Sequence, residues 1–109
     1  MSRERVNDLV SEWFRGDYLM FDACIDEPEA VWLAILEISG RELTDEQKSL
    51  LAGGALETLL ARHGPAFIER VEAEATNNPE FNYLLGGIWR QDMSEEIWSR
   101  VEKARKEAW

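Results

Sequence analysis

Leu59-Leu60-Ala61-Arg62-His63-Gly64-Pro65-Ala66-Phe67-Ile68 is the stretch that decides how this chain is read. A helix arriving from Asp45 ends on Arg62 and His63, cationic or imidazole groups suited to the negative pole of a helix terminus. Gly64 can adopt the left-handed conformation that stops a helix, and Pro65 carries the fixed φ that suits the first position of the next. The stretch predicts two helices, Asp45 to about Arg62 and another from Pro65, turned sharply against each other as a helical hairpin.

Helical periodicity continues from this stretch in both directions. Thr44-Asp45-Glu46-Gln47 has the pattern of a reciprocal capping box, which fixes the start of the upstream helix. Before it, Asp26-Glu27-Pro28-Glu29 combines a capping aspartate, a first-turn proline and acids favoured by the helix dipole. It opens a helix whose apolar face is Val31, Trp32, Ile35, Leu36 and Ile38, ending at Ser39-Gly40. Val6, Leu9, Val10, Trp13 and Phe14 recur at i, i+3, i+4, i+7 and i+8 on a first helix that starts after Ser2 and stops at Gly16. Between the two, Asp17 can cap a short helix with Tyr18, Phe21 and Ile25 on one side. The same dense apolar run also fits an extended docking segment.

Downstream, Phe67, Ile68, Val71 and Ala75 form a buried face until Asn77-Asn78-Pro79 stops that helix and caps the next. Phe81, Leu84, Leu85, Ile88 and Trp89 keep helical register. Ser94 opens the last helix, with Ile97, Trp98, Val101 and Ala108 inward and Arg100, Lys103, Arg105 and Lys106 toward its negative end. No segment alternates with the period of a half-buried strand. The expected fold is all-α, a compact six- or seven-helix domain of short antiparallel helical hairpins. At 109 residues, the whole chain, residues 1–109, is expected to form a single domain.

Composition narrows the function. Twelve basic against 22 acidic residues give a formal charge of −10, which disfavours nucleic acid and anionic membranes as direct partners. The charged start Met1 to Asp8 does not resemble a secretory signal, and no apolar run approaches the roughly 18 residues that span a bilayer. With a single cysteine, Cys24, in an apolar run, a reducing cytoplasmic compartment is expected, with the thiol packed as a small hydrophobe. His63, the only histidine, has no partner at metal-ligand spacing one turn before it, where Leu59 and Leu60 stand. No metal, cofactor or catalytic residue is expected.

Two glycine pairs, Gly53-Gly54 and Gly86-Gly87, stand in a faintly repeated leucine-rich context. They mark either close backbone approach between helices or a backbone in contact with a ligand. Glu57, on a leucine-rich helix beside the first pair, could be a buried carboxylate with a raised pKa. With His63 it offers the one acid-base pairing worth testing. A hydrogen bond or salt bridge to Arg62, His63 or a neighbouring helix end explains the same residue structurally.

Pro28-Glu29-Ala30-Val31-Trp32, the run from Ala52 to Gly64, Ile68 to Ala75, and Phe81 to Trp89 together resemble a family of small bacterial all-helical proteins catalogued only as a domain of unknown function. The resemblance spans about residues 17–105, and Gly54-Ala55-Leu56-Glu57 stands where that family has a Gly-Pro-Leu-Glu pattern. It implies an all-α fold and a bacterial or phage setting, and it implies no activity.

Charge is concentrated at the beginning of the chain. Residues 1–46 hold twelve acids and four bases, a net −8, against ten acids and eight bases, a net −2, in residues 47–109. Glu4, Asp8 and Glu12 align at i, i+4 and i+8, where like charges repel. Asp17, Asp22, Asp26, Glu27, Glu29 and Glu37 follow with no base among them. Such a stripe can keep a protein soluble, or it can attract a basic partner. The first reading is thus a small inhibitor, immunity or anti-defence protein covering a basic surface of another protein. Its expected contacts are Glu4, Asp8, Glu12, Asp17, Asp22, Asp26, Glu27, Glu29 and the terminal Trp109. The second is a self-associating module, a homodimer joined through Tyr18, Trp109 or the Gly86-Gly87 surface. The third is a small ligand-binding domain or enzyme using Glu57 and His63.

Overall fold

The computed structural model describes residues 3–90 and 92–108, and among them every regular element is helical. The elements are α1 (Arg3–Phe14), α2 (Phe21–Asp26), α3 (Pro28–Ser39), α4 (Asp45–Leu51), a π-helical turn (Ala52–Leu56), α5 (Glu57–Asn77), α6 (Pro79–Leu85) and α7 (Glu95–Ala104). No helix among the described residues is long and apolar enough to cross a membrane. Trp109 lies outside the described residues.

α3 is the axis of the fold. Ala30, Val31, Trp32, Ala34, Ile35 and Ile38 are all buried, so apolar surface wraps most of this helix, and it must be enclosed on several sides. α1, α2, α4, the π turn, α5 and α6 all pack against it. α1 supplies Val6, Leu9, Val10 and Trp13, as its spacing requires, while Phe14, expected on the same face, is 39% exposed at the end of the helix. Trp32 sits between Phe67 and Phe81, with ring centroids 6.0 and 5.7 Å away, joining α3 to α5 and α6.

Several termini form as their sequences dictate. The Thr44 hydroxyl accepts from Gln47 N at 3.1 Å, while Gln47 Oε1 accepts from Thr44 N at 2.9 Å. Asn78 Oδ1 accepts from Glu80 N and Phe81 N, and Ser94 Oγ from Ile97 N. The acids ahead of α2 and α3 behave differently from expectation. α2 starts at Met20 in the left-handed region (φ 48°), with Asp17 reaching Met20 N at 3.3 Å instead of capping the helix. Glu27, not Asp26, is the residue preceding α3, and no side chain caps that end.

The break in the long helix also differs. α4, the π turn and α5 run on continuously, and the chain kinks at His63 (φ −134°, ψ 33°) without a left-handed residue at Gly64. Pro65 cannot donate to the carbonyl one turn back and its ring crowds it, so the helix yields just ahead of the proline. Gly64 is required for a different reason: a Cβ there would stand 2.9 Å from Ile97 Cγ1, where α7 packs on α5. The positive-φ glycine is Gly16 (φ 120°), which ends α1.

Further along, α6 stops at Leu85, so Gly86-Gly87 lie past its end and Trp89 is not on a helical face. Ile88 is buried but Trp89 is 68% exposed, against the core position its register predicted. Ala108, expected inward on the last helix, lies beyond the end of α7 and is exposed. Trp98 is half-buried under Arg105, whose guanidinium is 5.0 Å from its ring. Asn82, which the pattern did not single out, is the buried polar tie of this end. Its Nδ2 donates to the carbonyls of Ala75 and Ala104 at 3.1 and 3.0 Å, and its Oδ1 accepts from Lys106 N at 2.9 Å.

Three substitutions test this packing. A Cβ at Gly54 would stand 2.4 Å from the Tyr18 carbonyl oxygen, whereas at Gly53 nothing lies within 4 Å. Gly54→Ala is expected to lower stability by about 1–3 kcal/mol in urea unfolding, and Gly53→Ala to be neutral or to add up to about 1 kcal/mol. Asn82→Ala is expected to cost about 1–3 kcal/mol by orphaning buried backbone groups.

Candidate functional site

The acidic N-terminal half separates into two populations. Arg5 of α1 grips Glu27 with two hydrogen bonds, 2.8 Å from Nε and 2.6 Å from its terminal nitrogen, and lies 3.8 Å from Glu12. Arg70 of α5 holds Glu29 at 2.6 Å. Arg3 bonds Glu37, which Arg41 also approaches at 3.9 Å. Hydrogen bonds from these guanidinium groups hold the Glu27 and Glu29 carboxyls below the ordinary carboxylate range. On the other side of α5, Glu72 is paired with Arg100 of α7.

Among the described residues, Glu4, Asp8, Asp17, Asp22 and Asp26 have no ion-pair partner, and all five are exposed. Asp8 still feels the Arg5 charge. Of the residues read as a partner surface, Glu12, Glu27 and Glu29 are thus engaged within the molecule. The remaining acids cluster most clearly on and before α2.

α2 turns Ala23 and Cys24 inward and Phe21, Asp22, Ile25 and Asp26 outward. At one hundred degrees per residue these four positions form one contiguous face. Phe21 and Ile25 are each 43% exposed, and Leu19 just ahead is 53% exposed. The Arg62 guanidinium lies 4.8 Å from the Phe21 ring centroid. The sequence had placed Tyr18 on the same side, but Tyr18 is half-buried with its ring edge-on to Trp13 at 5.3 Å.

Contacts from below fix this short helix. The single Cys24 S–H is shared between the carbonyls of Leu19 and Ala55, 3.6 and 3.8 Å from the sulfur, and burial pushes the thiol pKa up to about 12, with Asp17 adding to the rise. His63 Nε2 lies 3.3 Å from the Ile25 carbonyl oxygen. His63 therefore serves a helix C-terminus, but that of α2 instead of its own.

Glu57 and His63 face different neighbours. Glu57 Oε1 accepts from Trp89 N at 2.7 Å, which anchors the segment after α6 with the Trp89 indole held out in solvent. Desolvation raises the Glu57 pKa and the Asp92 charge adds to it, while the Trp89 hydrogen bond opposes both. Among the described residues, a cleft of about 550 Å³ opens between the end of α3 and α6, and one of about 520 Å³ between α1 and the end of α3. Neither Glu57 nor His63 lines either cleft. Among the described residues, no three His, Cys, Asp or Glu side chains are grouped to hold a metal ion.

Burial of Glu57 makes its contribution to stability pH-dependent. The folded protein binds a proton there more tightly than the unfolded chain, so this group contributes more stability as pH falls through its raised value toward the ordinary one. Urea midpoints of the wild type, measured relative to Glu57→Gln from pH 7 to pH 4, are expected to rise on acidification. A falling difference would show that burial of this charge carries no penalty.

No curated protein and no solved structure matches this chain. A family model does match, and it covers residues 2–109, extending past both ends of the segments that carried the resemblance. This chain belongs to the family of unknown function DUF6869.

Proposed function

We propose that this protein acts by binding, covering a basic surface on a partner protein with α2 and the residues leading into it, positions 17–26. The observation that carries the reading is the outward face of α2, where exposed Phe21 and Ile25 adjoin Asp22 and Asp26. Among the described residues neither acid is ion-paired. Unneutralised carboxylates speed encounter with a basic partner, and apolar side chains beside them contribute affinity once water is excluded. Inhibitors of the immunity or anti-defence kind work by such occlusion, and a cytoplasmic location belongs to the same proposal.

A photo-crosslinking residue at position 25, introduced in cells that naturally make the protein, tests the reading, with position 76 on α5 as the control surface. The partner captured at 25 and not at 76 is then purified. Asp22→Lys/Asp26→Lys is expected to weaken its binding at least tenfold and flatten the salt dependence, with Glu27→Gln/Glu29→Gln having a smaller effect. Equal capture at both positions, or affinity indifferent to the α2 reversal, would overturn it.

Self-association is the second reading, and the exposed Trp89 indole favours it. Sedimentation across a concentration series decides: a dimer lost in Trp89→Ala supports it, and a monomer throughout rejects it.

A further inference from the structure

The larger cleft lies at the C-terminal end of α3, the opposite end from α2, and is walled by the turn after α3, by α4 and by α6. Its volume of about 550 Å³ is that of a small-molecule site. Its lining carries both signs of charge: Arg41 and Lys48, Glu42 and Glu80. Among the described residues, these cations and anions do not pair with one another.

The two cations are instead supported by aromatic rings. Lys48 Nζ stands 5.3 Å from the Tyr83 ring centroid, and the Arg41 guanidinium 5.4 Å from that of Phe14. Arg41 lines both clefts: its guanidinium is ion-paired at 3.9 Å with Glu37, which lines the neighbouring cleft and is also bonded to Arg3. Tyr83, exposed on α6, adds an apolar face to the lining, with the buried Leu84 behind it. Opposite charges sharing one concavity without neutralising each other suit a ligand that carries both signs itself. A simple anion would meet Glu42 and Glu80, and a simple cation would meet Arg41 and Lys48.

We propose that this cleft binds a small zwitterion with an apolar side chain, of the α-amino acid class. The ligand carboxylate faces Arg41 and Lys48, its ammonium faces Glu42 and Glu80, and its side chain lies along Tyr83 and Leu84. The site is independent of the α2 face.

Titration of the isotopically labelled protein with L-phenylalanine, followed by amide NMR, tests this. Saturable shifts confined to residues 39–43, 48 and 80–84 are expected. N-acetyl-L-phenylalanine, which lacks the ammonium, and phenethylamine, which lacks the carboxylate, should each bind at least tenfold more weakly. Arg41→Ala/Lys48→Ala should lose the response while the rest of the spectrum shows an intact fold. Absence of saturable shifts, shifts elsewhere, or either analogue binding as tightly as L-phenylalanine would overturn the proposal.

Discussion

The constraint on which this structure depends is the enclosure of α3. A helix with apolar residues around most of its circumference cannot rest on one neighbour, and its burial recruits helices from both halves of the chain. The hydrophobic gain of burying Val31, Ile35 and Ile38 completely is about 1.5–3 kcal/mol per side chain. That gain brings α1 to one side and α5 and α6 to others, and the surface follows from that assembly.

Electrostatics follow the packing. The carboxylates at the ends and rim of α3 are met by arginines delivered from different elements: Glu27 by Arg5 and Glu37 by Arg3 from α1, Glu29 by Arg70 from α5. These pairs are partly exposed, so each contributes modestly to stability. Their larger effect is on the field: they remove the α3 acids from the outward potential and leave Asp22 and Asp26 of α2 prominent.

The geometry of α2 is imposed from outside it. Six residues are too few for a stable isolated helix, and its entry carries Met20 in the left-handed region, a conformation costing roughly 1–2 kcal/mol. The segment is held because the Tyr18 carbonyl fits against Gly54, Cys24 bonds Ala55, and His63 reaches the Ile25 carbonyl. The π turn at Ala52–Leu56 is where the long helix offers its backbone to this contact. A minority element is thereby given a fixed outward face, the property a binding surface needs.

Much of this was legible without coordinates, because it depends on interactions within one or two helical turns. The all-α class, the capping box at Thr44, the caps at Asn78 and Ser94, the glycine stop at Gly16 and most of the buried faces of α1, α3 and α5 are all local consequences of periodicity and side-chain hydrogen bonding. Where partners are distant in sequence, local pattern could not choose between them. It could not say that Gly64 is small for the sake of Ile97, that Trp89 leaves the core when α6 stops at Leu85, or that Asn82 binds the end of α7. Nor could it say which acids would be neutralised, because Arg5 reaches across 22 residues to Glu27 and Arg70 across 41 to Glu29. The sequence alone determined the helical class and the sign of the charge; tertiary structure decided which charges still face outward, because only packing brings distant side chains within bonding distance.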